Sequence, residues 1–128
     1  MADGGEGTVD AIVASLGGQR VSLLAADPLG RPVEATYGML PGERAVIEMA
    51  AASGLPILSL DERDPRKTST FGTGQMILDA LDRGARDISL AIGGSATNDC
   101  GMGAMRALGV RFLDASGAEL MGAGADLA

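Results

Sequence analysis

The chain has 128 residues, a formal charge of −7 and 46% hydrophobic positions. That is enough for one domain with a real core and too few for two comfortable ones, and the apolar content excludes a disordered chain. The negative balance, with Tyr37, Phe71 and Phe112 as the only aromatics, argues against a nucleic-acid surface, which needs cations and stacking platforms.

The absence of histidine removes Ser-His-Asp triads, His–Cys pairs and His-ligated zinc together. A single cysteine, Cys100, excludes an internal disulfide and a cysteine-rich metal site. With no base beside it, it reads as a buried or incidental thiol. Any metal would be a hard cation on oxygen ligands, magnesium being the natural candidate. No apolar stretch approaches the ~20 residues of a membrane span, and no signal peptide is visible. The expectation is a soluble, cytoplasmic chain with no membrane partner.

The first eight residues, MADGGEGT, hold three glycines and the carboxylates Asp3 and Glu6. Val9, Ile12, Val13 and Leu16 follow at the spacing of an amphipathic helix, with Thr8 as N-cap and Gly17 as left-handed C-cap. Two readings stand side by side. The loop is acidic punctuation suiting the helix dipole, or its backbone approaches a ligand while Asp3 or Glu6 holds a metal ion or a hydroxyl.

Residues 20–40 read as a β-hairpin. Arg20 to Ala26 is one strand, Pro28-Leu29-Gly30 the turn, and Val33, Ala35, Tyr37 and Met39 alternate along the return. Ala45 to Met49 forms a short apolar strand, and Ala50 to Ser53 a helical turn. Glu48 in that strand needs a partner; a salt bridge with an arginine and a role in a site explain it equally. The charged run DERDPRK, residues 61–67, leads into TSTFGTG, a loop of hydroxyls and glycine ahead of a helix. That helix is marked by Met76, Ile77, Ala80 and Leu81 and ended by Gly84. Lys67, the one lysine, stands near its start, where a phosphate contact is chemically reasonable.

The stretch ISLAIGGSATNDCGMG, residues 88–103, organises the rest. A buried strand, Ile88 to Ile92, stops at Gly93-Gly94. A polar cluster (Ser95, Thr97, Asn98, Asp99) then leads to Gly101 and Gly103 and a short helix with Met102, Met105 and Leu108 inside. Strand, polar glycine loop and helix start are the parts of an anion site. Neither Gly72-Thr73-Gly74 nor Gly101-Met102-Gly103 completes a dinucleotide fingerprint, and no P-loop pattern is present. Val110 to Leu113 and Ala118 to Met121 read as strands about a turn at Asp114 to Gly117. The fold class is therefore mixed α/β: an antiparallel meander followed by helix–strand alternation, a small sheet covered by helices.

Three long segments carry a resemblance: MADGGEGTVDA (1–11), KTSTFGTGQMI (67–77) and IGGSATNDCGMGAMRALGVRFLDASG (92–117). They resemble the bacterial glycerate kinases of the glycerate 2-kinase type, which phosphorylate glycerate at the expense of ATP. PLGRPVEATYGML and AVIEMAAASGL look like the same family, so the resemblance covers nearly the whole chain. It implies ATP and Mg²⁺ as cofactors, glycerate as substrate and two α/β domains, one of them flavodoxin-like and built from both chain ends. Residues 1–128 then correspond to the start of the inner domain, with MADGGEGT at the junction. The chain reads as a fragment lacking both ends, expected to self-associate through the face left by the missing domain.

The resemblance also implies roles. The N–H groups of the 93–95 and 72–74 loops face phosphate oxygens, and Lys67 offsets charge on the transferring group. Gly4, Gly5, Ser69, Thr70, Gly72, Gly74, Gly93, Gly94, Ser95, Thr97 and Asn98 bind substrate or phosphate. Asp3, Glu6 or Asp99 orients the glycerate hydroxyl, with Asp3 and Asp99 as the magnesium ligands. One departure stands out: the family usually has glycine where this chain has Cys100, which makes that loop less permissive. The rival expectation is a non-catalytic anion-binding or interaction fragment of the same α/β fold.

Overall fold

A computed structural model of the chain describes residues 4–127. Four strands form one sheet in the order β1-β2-β3-β4: β1 Gln19–Ala26, β2 Pro32–Leu40, β3 Arg44–Glu48 and β4 Asp87–Ala91. The first two pair antiparallel from Gln19↔Met39 to Ala26↔Pro32, as the period-two pattern requires. Asp27 closes their turn, its carboxylate accepting the N–H groups of Leu29 and Arg31 and the Arg31 guanidinium. The β3 strand runs antiparallel to β2 and parallel to β4. In consequence β1, β3 and β4 all end on the same edge of the sheet.

Helices cover both faces. On one lies α1, Thr8–Leu16, made possible by Gly38, where a Cβ would crowd Val46 at 2.9 Å and overlap Val13. On the other lie α2, Ala50–Ser53, and α3, Phe71–Asp82. The core on that side is small and aliphatic, with Ala25, Ala35, Ala45, Ala52, Ala80 and Ala85 around Ile47 and Met76. Tyr37 is its one aromatic, and its hydroxyl donates to Asp79 Oδ2 at 2.7 Å. Burial first, and that bond second, push the phenol well above its ordinary pKa. Burial raises the Asp79 pKa, but the hydrogen bonds from Arg83 and Tyr37 outweigh it and leave the carboxyl below its usual range.

Several expectations are corrected. Gly7, in left-handed backbone, is the N-cap of α1, and Thr8 is already helical. Glu48, 8% exposed, has neither an arginine partner nor a free carboxylate: its Oε1 accepts the Val9 N–H at 2.6 Å, supplying the acidic cap of α1 from across the chain. Phe71 to Gly74 belong to the first turn of α3, not to a loop before it. The β4 strand is not buried. It is the last strand of the sheet, and Leu90 and Ile92 are 40% and 70% exposed. The short helix α4, Met102–Ala107, buries Met102 but exposes Met105. Beyond it the expected strands reduce to one bridge, Leu113↔Glu119, around the turn at Asp114–Gly117. Cys100 is exposed rather than buried.

Candidate active site

The edge where β1, β3 and β4 end collects the glycine-rich segments, in keeping with the preference of ligands for the carboxyl ends of parallel strands. After β4 the chain turns through Gly93 and Gly94, and the Gly93 N–H donates to the Gly4 carbonyl at 2.8 Å. A Cβ at Gly93 would stand 2.7 Å from the Gly4 and Gly5 backbone, so glycine is what lets the two loops touch. The same loop continues alongside α2: the Leu55 N–H donates to the Gly94 carbonyl and the Ala96 N–H to the Ser53 carbonyl. Ser95 and Thr97 share a hydroxyl hydrogen bond of 2.8 Å and are half-buried, while Asn98 is exposed. Glu6 is exposed on the first loop. Asp3 lies outside the described residues.

The loop ends in a buried knot. Asp99 is 1% exposed. Its Oδ2 accepts the Thr70 N–H at 2.7 Å, the Thr70 hydroxyl at 2.9 Å and the Gly103 N–H at 3.1 Å, and its Oδ1 accepts the Gly101 N–H at 3.0 Å. The Thr70 hydroxyl accepts the Ala104 N–H in turn. One carboxylate thus ties the start of α3 to the start of α4, and donors already surround both of its oxygens. A carboxylate so engaged has little left to offer a metal ion or a proton.

The expected phosphate-facing residues divide accordingly. Ser69 is half-buried, its Oγ accepting the Phe71 N–H at 3.3 Å. Lys67 is exposed, with only a 3.7 Å ion pair to Asp64. Asp64 itself is held at about 2, chiefly by the Arg66 guanidinium and N–H. Gly72 and Gly74 are buried in α3 and do not open a loop: a Cβ at Gly72 would overlap the Ala26 carbonyl, and one at Gly74 the Ala104 carbonyl. Thr73 is likewise spent, hydrogen-bonded to Ser53 at 2.7 Å.

Among the described residues no group of three or more Asp, Glu, Cys or His side chains is placed to hold a metal ion. Asp99 is engaged and no such group includes Glu6, so the described side chains by themselves do not fit a protein-held magnesium, with Asp3 of the same loop lying outside them. Two polar residues of this edge escaped the sequence reading. Gln75 binds the Ala26 N–H at 2.7 Å, and Arg106 lies over the Phe71 ring at 5.8 Å. A lone arginine inside the methionine stripe of α4 was the signal for the second.

Comparisons with known proteins agree with this fold. A glycerate kinase from Halalkalibacterium halodurans is 56% identical over 119 residues, covering 91% of this chain and 31% of its own length. The glycerate 2-kinase of Escherichia coli K12 is 49% identical, over 94% of this chain and 32% of its own. In the crystal structure of a protein assigned as glycerate kinase 2 from Salmonella typhimurium LT2, 49% identical, the match has a TM-score of 0.91 over 97% of this chain and 33% of that one. The chain therefore spans about a third of the length of the relatives it matches. No helix among the described residues is long and apolar enough to cross a membrane. The family model described as the glycerate kinase family matches residues 1–128, and the chain belongs to that family.

Proposed function

We propose that this chain supplies part of the site of an ATP-dependent glycerate kinase, the part that cradles the phosphoryl group and the glycerate acceptor. The observation that carries the reading is the meeting of the Gly4–Gly7 and Gly93–Asn98 loops at the carboxyl ends of the parallel strands β3 and β4. Phosphoryl transfer asks a protein mainly for positioning and for charge to meet charge. The Gly94 and Ser95 N–H groups, with the Ser95 and Thr97 hydroxyls and the Asn98 amide, offer hydrogen bonds to oxyanions, while the Gly93 and Ala96 N–H groups are spent on the Gly4 and Ser53 carbonyls. Lys67 offsets negative charge. Glu6, and Asp3 on the same loop, are the carboxylates that would orient the acceptor hydroxyl and take its proton. Asp99 acts by holding Thr70 and Gly103 in place rather than as base or metal ligand. The described side chains do not by themselves cage magnesium.

The two-domain reading belongs to this proposal: residues 1–128 form the start of the inner domain, with the first loop at the junction with a flavodoxin-like partner. A cytoplasmic setting goes with it. The test is ADP release from Mg-ATP by the 128-residue chain with and without D-glycerate. Glycerate-dependent release is the expected result when the facing domain is supplied with the chain. Its absence would favour the second reading, an anion-binding or interaction piece without turnover. That reading draws support from the unpaired β4 edge with exposed Leu90 and Ile92, which invites self-association.

A further inference from the structure

A cavity of about 550 Å³ opens between the β1–β2 turn, the start of α3 and the segment after α4. That is within the range of ~300–1,000 Å³ of small-molecule clefts. Its wall is largely apolar, with Pro28, Leu29, Phe71 and Met121 contributing. The polar groups on it are almost all donors. Gln75 has its Oε1 committed to the Ala26 N–H, so the amide end it has left to offer is the NH₂. Ser69 contributes a hydroxyl already directed at Asp99 Oδ2, and Lys67 an ammonium group with only its 3.7 Å pair to Asp64. The one carboxylate on the wall, Asp27, is neutralised by Arg31 at 2.6 Å.

Arg106 is the least satisfied member. Its side chain is 17% exposed, and its Nη1 donates to the Met121 carbonyl at 2.6 Å. Its Nη2 lies 3.7 Å from Glu119, and its buried Nε has no acceptor. A desolvated cationic donor without an acceptor is costly, and an entering anion would draw the guanidinium into better contact.

We infer that this cavity takes a nucleoside di- or triphosphate, with the phosphates on Lys67 and Arg106 and the base against Phe71, Leu29 and Met121. The inference rests on the kinase reading and gives its phosphate donor a place. Glycerate offers a carboxylate to the two cations but has no apolar surface to set against Phe71, Leu29 and Met121, and its hydroxyls would face that apolar wall. A nucleotide brings acceptor-rich phosphates and a flat, weakly polar ring, which is the complement of what the wall presents.

The experiment is a titration of the ¹⁵N-labelled 128-residue chain with ADP, read by amide shifts. Shifts at Leu29, Gly30, Phe71, Gln75 and Ala123 are expected. Lys67→Gln and Arg106→Gln should each weaken ADP roughly tenfold, the scale of one charge-assisted contact, while Arg44→Gln, the same charge change at the exposed β2–β3 turn, should leave the affinity unchanged. Phe71→Leu should weaken adenosine and ADP alike and leave pyrophosphate binding as it was. Because Lys67 is exposed, its variant tests the idea even where Arg106→Gln perturbs the fold. Shifts confined to Gly93–Asn98, wild-type affinity in Lys67→Gln, or no ADP binding at millimolar concentration would overturn the assignment. Glycerate-dependent turnover judges the kinase reading separately: turnover with ADP mapping elsewhere sinks the cavity alone, and ADP mapping here without turnover sinks turnover alone.

Discussion

Two glycine-rich regions of this molecule use glycine for opposite reasons. At the α3–α4 junction, Gly72, Gly74 and Gly103 have ordinary backbone and no room: a Cβ would strike the Ala26 carbonyl, the Ala104 carbonyl and Ser69. Around the first loop, Gly4 and Gly7 have φ near +88 and +89, with nothing closer than 3.8 Å to a Cβ at Gly4 and nothing within 4 Å at Gly7. The first region spends glycine on close packing, which locks it. The second spends it on left-handed turns that leave space beside the backbone, which suits approach by a ligand. A sequence rich in glycine does not distinguish the two; the neighbours do.

Substitutions can break or sharpen that contrast. Gly72→Ala should be the most damaging, about 4 kcal/mol or more, because the clash is with backbone and α3 must leave its seat. Loss of a cooperative thermal transition would show it. Asp99→Asn puts an NH₂ against the converging donors of Thr70, Gly101 and Gly103 and should cost about 3 kcal/mol, read as a Tm lower by roughly 10 °C. Gly7→Ala meets no atom, so only the left-handed backbone is penalised, at about 1 kcal/mol. A loss as large as that of Gly72→Ala would erase the distinction between the regions. Cys100→Gly is the smallest and has the opposite sign. Cys100 is exposed next to the packed region and has φ +51, so glycine should stabilise by about 0.5 kcal/mol once its extra chain entropy is subtracted. Chemical denaturation would resolve it.

The local elements were legible because their signals are local. Pro28-Leu29-Gly30 and the alternation through Tyr37 gave the hairpin, and the Val9 and Met76 stripes gave α1 and α3. The resemblance, with glycine usual where Cys100 stands, pointed to a position whose backbone is indeed left-handed. What failed depended on distant partners. Gly72 and Gly74 looked like a loop because glycine disfavours helix interiors, and only the closeness of Ala26 and Ala104 explains why α3 tolerates them. An apolar run at Ile88 to Ile92 says nothing about whether a neighbour will cover it, and β4 is an edge. Asp99 looked like a free acid in a polar loop because its main partner, Thr70, is 29 residues away. Glu48 was recognised as needing a partner, but a backbone N–H at the head of another element has no side-chain signature to find.

The β1–β2 hairpin carries a kinetic consequence. Its strands are joined by a turn that Asp27 fastens, so its contacts close at small entropic cost. The β3–β4 pair is parallel and must wait for α2, the charged loop and α3 to be laid down between them. The hairpin should therefore gain amide protection first during refolding, before β4 docks. The binding edge, which depends on that last strand, is then completed late, on a scaffold already set.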